Sequence, residues 1–511
     1  MTTKPDISEK NFNTCNFNWQ GKRECITQAE TLTTKTLLLN KSKSKDEHNT
    51  QNIYIEGDNL DGLKLLQKDY KNKIKVIYID PPYNTGKDFV YADKLKTAQW
   101  CSMIYPRLLL AKKLMSEDGI IFISIDDNEL CNLKNICDEV FGSNNFITQF
   151  IYEKTQHYGR QKLNTYSNAE YILCYAKSLY DTKIKELLVE RINTEFIDAP
   201  LYNASNRENI LTFPAESVKF NIKDGEYKPF SNSKYELLDQ LEVYKGKNKN
   251  SFSLKFKSRW SQNKLTEEIQ NGTTFIVKSD NFAIRAVYGK NKFANIAPRQ
   301  IIFTNKNNKY CTKSRFNKYV TTNETASKEL KVLINEACFS YPKPVSLISY
   351  LLSLIYDSKN NDFDKAFTVL DFFSGSATTA HAVMELNALD NGSRKYILIQ
   401  KPEMIDKSSD LYKLGYKTLC DIGECRITKA AAKLDSNFFI IIPPKIFVEG
   451  IIKFFLTNIK LKTCANFVSV VCKLRTFNGT AITATYAVNC ANIFPLHISY
   501  QSFIMSLQRG K

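Results

Sequence analysis

Ile74-Lys75-Val76-Ile77-Tyr78-Ile79, followed at once by Asp80-Pro81-Pro82-Tyr83-Asn84-Thr85-Gly86, is the stretch that decides the fold. Its opening run is apolar apart from Lys75 and holds no turn former, which predicts a strand buried on both faces of a parallel sheet. Proline donates no backbone N–H and fixes φ, so Pro81-Pro82 ends the ladder and strands Asp80 at the C-terminal edge of the sheet.

The flanking sequence repeats the strand-helix rhythm. Asn52–Ile55 reads as a strand ending at Glu56-Gly57-Asp58-Asn59, with a helix after it through Leu60, Leu63 and Leu66. A helix from about Thr97 to Met115 carries Trp100, Met103, Ile104 and Leu108 on one face. The apolar strand 120–125 then stops at Asp126-Asp127, which can cap the next helix. After about Lys177 the rhythm dissolves, and it resumes with a helix at 345–356, a strand at 367–370, a Gly/Ser turn, a helix at 378–389, a strand at 395–400 and a helix at 409–433. The expected architecture is therefore one α/β domain interrupted by an insertion. Its parts are a polar arm at 1–49 with a Lys-Ser repeat (41–45), a first half at 50–180, the insertion at 181–335 and a second half at 336–435. Residues 436–511 form an unassigned tail with one acidic residue against eight Lys and Arg.

At 511 residues the chain exceeds one hydrophobic core. It has no apolar run of about 18 residues that would span a membrane. The start, Met1-Thr2-Thr3-Lys4-Pro5-Asp6, lacks an apolar signal core, so a cytoplasmic location is expected. Thirteen scattered cysteines and four separated histidines match no metal-ligand spacing. The net charge of +18 is unevenly spread. Residues 1–150 hold 20 Lys and Arg against 20 Asp and Glu, whereas residues 245–318 hold 17 against 3. That second segment interleaves Lys255, Lys257, Arg259, Arg285, Arg299 and Arg315 with ten aromatic residues, as a surface that meets phosphates and bases would. For most of the aromatics, packing in a small core is the simpler account.

Two motifs carry chemistry. A bare Asp-Pro-Pro is more often a capped strand end. Asp80-Pro81-Pro82-Tyr83 with Asn84-Thr85-Gly86 suits holding a flat, amino-bearing ring. The carboxylate and a main-chain carbonyl can accept the two N–H bonds of an exocyclic amine and turn its lone pair outward. Tyr83 offers a stacking face. The second motif, Asp371-Phe372-Phe373-Ser374-Gly375-Ser376-Ala377-Thr378-Thr379, follows a strand and opens a helix. Its small residues permit close backbone approach, and the N–H groups at the helix start can meet a carboxylate.

Together these motifs resemble the β-class amino methyltransferases of DNA. With Gly57-Asp58-Asn59-Leu60, Trp100-Cys101-Ser102-Met103, Ile123-Ser124-Ile125-Asp126-Asp127, Phe141-Gly142-Ser143-Asn144-Asn145-Phe146 and Phe339-Ser340-Tyr341-Pro342-Lys343-Pro344, the set is similar to the Mod subunit of type III restriction-modification systems. The resemblance covers roughly 15–180 and 336–433. It implies an S-adenosylmethionine-dependent, Rossmann-like methyltransferase fold with circularly permuted motif order and an inserted target-recognition domain. It implies methyl transfer from S-adenosylmethionine to N6 of a flipped adenine, with Asp80, Pro81, Pro82 and Tyr83 as the catalytic set. Cofactor contacts are implied for Asp371, Phe372, Phe373, Ser374, Gly375, Ser376 and Thr378. Asp58 is implied near the adenine, though an Asx cap on its helix serves equally, and Lys343 at the methionine end. The ribose falls to Gln400 or Glu403, which the sequence does not separate. The family pattern has Gly where Ala377 stands. Implied partners are double-stranded DNA, a second copy of the chain in a homodimer, and a restriction subunit. Two alternatives remain: N4-cytosine methylation, for which the family has Ser in place of Asp80, and a catalytically impaired DNA-binding protein with an altered C-terminus.

Overall fold

The computed structural model describes residues 17–44, 50–86, 95–157, 166–179, 186–194, 197–289, 292–334, 342–357, 360, 362–434 and the strand segments 439–442, 461–464, 467–475 and 481–489. The chain divides into two compact units, Met1–Thr34 with Leu39–Ile442, and Lys35–Leu38 with Pro443–Lys511. In the smaller unit Leu461–Cys464, Phe467–Arg475 and Ala481–Asn489 form an antiparallel sheet. Apart from the strand Phe439–Ile442, the remainder of the 436–511 tail lies outside the described residues, as do Phe339-Ser340-Tyr341 of the proline turn.

The larger unit holds several sheets, and the largest of them carries the two motifs. Nine of its ten strands run in the spatial order Phe439–Ile442, Ile53–Glu56, Lys395–Gln400, Thr368–Asp371, Ile74–Ile79, Met115–Ile125, Ala169–Ala176, Phe146–Glu153 and Ile301–Ile302. All six residues of Ile74–Ile79 are buried, and Lys75 is kept there by an ion pair with Asp118. The strands from Phe439–Ile442 through Met115–Ile125 are parallel. Ala169–Ala176 is antiparallel to both of its neighbours, so the sheet is mixed rather than wholly parallel. Amphipathic helices cover it; Thr97–Leu114 buries Trp100, Ile104, Leu108 and Ala111 at helical spacing.

Other expectations need correcting. Part of the supposed 1–49 arm is ordered: Lys22–Glu30 is a helix burying Cys25 and Ala29, and the Trp19 indole donates to Ser102 Oγ at 2.9 Å. Asp126 accepts from the Asn128 N–H instead of capping a helix, and the next helix begins at Leu130. The helix expected over 409–433 breaks at Gly415, φ 97°, into Asp410–Lys413 and Leu419–Leu434.

The 181–335 insertion extends too far at both ends. A separate aromatic-rich core runs from Leu201 to Ala286, with Phe213 and Phe252 stacked at 5.3 Å. Leu187, Leu188, Ile302 and Val320 belong to the main core instead, and Ile301–Ile302 pairs with Ile151–Tyr152 in the main sheet. Composition could not reveal this return, because a two-residue strand has no period.

Candidate active site

Strands Thr368–Asp371 and Ile74–Ile79 are parallel neighbours, with Val369 opposite Val76 and Leu370 opposite Ile77. Two motifs some 290 residues apart in sequence therefore leave the sheet side by side, at the same C-terminal edge. Ligands of open α/β sheets bind at that edge. Between the motifs lies a cavity of about 670 Å³. Asp80, Pro81, Pro82 and Tyr83 line it, as do Asp58, Lys343, Asp371, Phe372, Phe373, Ser374, Gly375, Ser376, Thr378, Gln400 and Glu403.

The Asp80 turn is held from several sides. The Pro82 carbonyl accepts from the Trp100 indole at 2.7 Å, whereas the Pro81 carbonyl has no hydrogen bond among the described residues. Asn84 takes a left-handed φ of 60°, donates to Glu129 Oε1 at 2.7 Å and accepts from the Leu95 N–H. One carbonyl thus anchors the turn and the other stays available beside Asp80. The carboxylate of Asp80 lies deep in the molecule, yet 29% of its side-chain surface opens to the cavity. Burial raises its pKa, an effect opposed by Lys343 and reinforced by Glu170. Lys343 Nζ stands 3.0 Å from Asp80 Oδ1 and 3.3 Å from Glu170 Oε2, and 4.8 Å from the centre of the Tyr83 ring. Lys343 therefore meets the Asp80 carboxylate directly, a contact the proline-turn motif gave no hint of.

Across the cavity, Asp371 is buried and accepts from Thr379 Oγ1 at 2.6 Å and from the Phe373 N–H at 3.0 Å. Burial pushes its pKa up to about 7 against the lowering effect of both donors. Ala377 adopts φ 62°, which explains the glycine of the family pattern, since an L-residue there costs about 1–2 kcal/mol. Behind the loop, buried Arg426 donates to Ser376 Oγ and Thr378 Oγ1 at 2.9 and 2.6 Å. Gln400 spends its side chain internally: Oε1 accepts from the Gly375 N–H at 2.7 Å and Nε2 donates to the Lys401 carbonyl. Glu403 faces the cavity with Lys401, at 3.8 Å, as its one ion-pair partner among the described residues, and so is the freer of the two for a ribose. Asp58 does cap its helix, accepting from the Leu60 N–H, while its other oxygen lies 3.6 Å from Arg107. Arg107 also donates to Asn59 Oδ1, and Asn59 donates to the Phe372 carbonyl, tying three segments together. Glu170, Arg107, Asn59 and Arg426 were all missed by sequence reasoning. A glutamate opening the apolar strand Ala169–Ala176 was the one available signal.

S-adenosylmethionine fits these residues. The buried Ser374 hydroxyl has no partner among the described residues and faces the cavity, Gly375 leaves the backbone approachable, and the acid of Asp371 suits a cationic ligand. A volume of this size lies within the range of small-molecule sites.

The DNA methylase family profile matches residues 74–407. The chain belongs to that family. The chain is 32% identical to the type III restriction-modification enzyme StyLTI Mod subunit of Salmonella typhimurium, over 77% of its own length and 59% of that protein's. It is 32% identical to the EcoPI Mod subunit of Escherichia phage P1, covering 84% and 69%. To the type II methyltransferase M.KpnI of Klebsiella pneumoniae it is 31% identical, covering 76% and 89%. The chain therefore spans about three fifths of the Salmonella Mod subunit.

The six basic residues expected at DNA do not behave alike. Arg315 is a correction: its side chain is 8% exposed and donates to Asp390, which Arg394 also holds. Burial lowers its pKa to about 10, and its guanidinium packs 4.1 Å from the Phe363 ring centre. Lys255 is matched by Glu236 and Glu208, and Arg285 shares Asp198 with Lys278. Lys257 has no carboxylate partner among the described residues, Arg259 is exposed, and Arg299 lies 5.6 Å from the Tyr310 ring centre. Arg315→Ala should lower stability by about 1–3 kcal/mol in denaturant titration while leaving the salt dependence of DNA binding unchanged. Lys257→Ala should do the reverse, reducing the salt slope by about one.

Proposed function

We propose that this methylase transfers the methyl group of S-adenosylmethionine to N6 of an adenine flipped out of double-stranded DNA, as the modification subunit of a type III restriction-modification system. The observation that carries this is the shared cavity of Asp80 and the Ser374–Thr379 loop, set by adjacent parallel strands. The 32% identity to two Mod subunits supports the type III assignment.

Asp80 and the Pro81 carbonyl accept the two amino N–H bonds, so the nitrogen lone pair points across the cavity. Tyr83 lies along the base. The Ser374–Thr379 loop, Asp371 and Glu403 would hold the cofactor, which supplies an electrophilic methyl on a sulfonium. Bound there, the cofactor would give its methyl group to the amino nitrogen, and Asp80 is the acceptor at hand for the proton that nitrogen then gives up. No enzyme-bound covalent intermediate is needed, and positioning can supply up to about 7–11 kcal/mol of the barrier. The β-domain between Leu201 and Ala286 is the candidate for target recognition, with Lys257, Arg259 and Arg299 on phosphates. A homodimer and a restriction subunit complete the proposal.

Incubation with methyl-tritiated cofactor and DNA, followed by digestion to nucleosides, should place the label in N6-methyladenine. Label in N4-methylcytosine would overturn the base assignment. No label would leave a DNA-binding protein.

A further inference from the structure

Lys343 is an ammonium buried between two carboxylates, one of which the proposed reaction needs open. Its side chain is 8% exposed, as is that of Glu170. Glu170 is itself held by Lys154, at 3.5 Å from its other oxygen, and accepts from the Tyr83 hydroxyl at 3.4 Å. The groups facing Asp80 come from five segments: Lys343 on the proline turn, Glu170 on its strand, Tyr83 on the same turn, Tyr78 on the preceding strand and Asp371 on the neighbouring one. Of these five, Lys343 is the cation; Lys154 also lines the cavity but is spent on the other oxygen of Glu170.

A buried carboxyl group tends to keep its proton, and a protonated Asp80 would offer an O–H where the amine needs an acceptor. An ammonium at 3.0 Å counters that tendency. An ammonium bound to Asp80 alone, however, would occupy the acceptor the substrate must reach. Glu170, at 3.3 Å, draws the same charge the other way.

We propose that Lys343 and Glu170 are positioning residues that act through Asp80: Lys343 keeps it ionised, and Glu170 shares the ammonium so that Asp80 can hand it over when the amino group arrives. The proposal rests on Asp80 as the amine acceptor. It assigns opposite signs to the two partners. Without Lys343, Asp80 faces burial and Glu170 with no counter-charge, so its titration moves up. Without the Glu170 charge, Lys343 serves Asp80 alone, so the titration moves down and amine capture weakens.

The test is the titration of Asp80 itself, read by the carboxyl-carbon resonance in the full chain labelled at aspartate and assigned by its loss in Asp80→Asn. Lys343→Met should raise the midpoint by at least one pH unit, a tenfold change in proton affinity, and Glu170→Gln should lower it. Single-turnover methylation should follow, with the acid limb of the pH profile shifted up in Lys343→Met and down in Glu170→Gln. The Glu170→Gln plateau should be depressed at least tenfold. Lys343→Arg should restore the wild-type midpoint. Midpoints that do not move, or move in the same direction, overturn the proposal even if the wild type methylates normally. If the midpoints shift as stated in a protein that transfers no methyl group, the proposal stands and the assigned reaction falls. Should Lys343→Met fail to fold, the downward shift in Glu170→Gln decides alone.

Discussion

Replacing Asp80 with Ala should remove methylation, by on the order of 10²–10³-fold or more, while the protein folds and binds both ligands. The size follows from what is lost. The ring draws the lone pair of an exocyclic amine into conjugation, and Asp80 with the Pro81 carbonyl is the acceptor pair by which the proposed reaction turns it outward. With one acceptor gone, the remaining N–H is free to rotate and the lone pair is no longer aimed. Folding should survive because Lys343, the charge that Asp80 partners, still has Glu170 at 3.3 Å. Removal of one carboxylate therefore does not strand a buried ammonium, which would otherwise cost several kcal/mol. The Ser374–Thr379 loop is supported from behind by Arg426, not by Asp80, so cofactor affinity should change little. Asp80→Asn tests the chemistry more narrowly: the amide keeps the volume but can present an N–H to the amine, and it should be similarly inactive. Single-turnover transfer and equilibrium cofactor binding measured on the same preparations check this. Turnover within a few-fold of wild type in either variant would sink the role of Asp80.

The legible parts of this molecule are those with a period or a local rule. Ile74–Ile79 and Lys395–Gln400 are nearly unbroken apolar runs, and both are central strands. Trp100, Ile104 and Leu108 repeat at four-residue spacing, and they line the buried face of a long helix. The Gly/Ser turn after Asp371 announced a close backbone approach, and the left-handed φ at Gly375 and Ala377 fits it. What escaped was set by pairings between distant segments. Lys343 could not be joined to Asp80 from sequence, because a lone lysine in a proline turn has no pattern. Arg315 sits in the most basic stretch of the chain, yet Asp390 and the Phe363 ring take it into the interior. Charge density located the segment but not which of its side chains remain outside. The helix Lys22–Glu30 was hidden by polar composition, since only Cys25 and Ala29 of it are buried.

A second large effect is expected at Asp371, where Asp371→Asn should stabilise the cofactor-free protein at pH 8 and weaken its hold on S-adenosylmethionine. The native carboxyl group keeps its proton up to about pH 7, because burial outweighs the Thr379 and Phe373 hydrogen bonds. In the unfolded chain the same group ionises near pH 3.9. Between those values the native state binds more protons than the unfolded one, so stability falls as pH rises. Its contribution is complete below about pH 4 and gone above about pH 7, and the span corresponds to about 4 kcal/mol. An amide of the same shape can accept from the Phe373 N–H at its oxygen and donate its NH2 to the Thr379 hydroxyl, which turns from donor to acceptor, with no charge to bury. At pH 8 its melting temperature should exceed that of the wild type by several degrees, and the gap should close on acidification toward pH 4. In the proposed function the ionised carboxylate would meet the cofactor, whose sulfonium and ammonium are cationic. Binding should therefore release a proton, and wild-type affinity should rise about tenfold per pH unit toward pH 7 and flatten above it. In Asp371→Asn the affinity should be lower and this slope absent. Melting curves from pH 5 to 8, with calorimetric binding in buffers of different ionisation enthalpy, measure both halves. An Asn variant that melts below wild type at pH 8, or one that keeps the pH slope of cofactor binding, would show that the buried acid at this strand end is not the charge the cofactor meets.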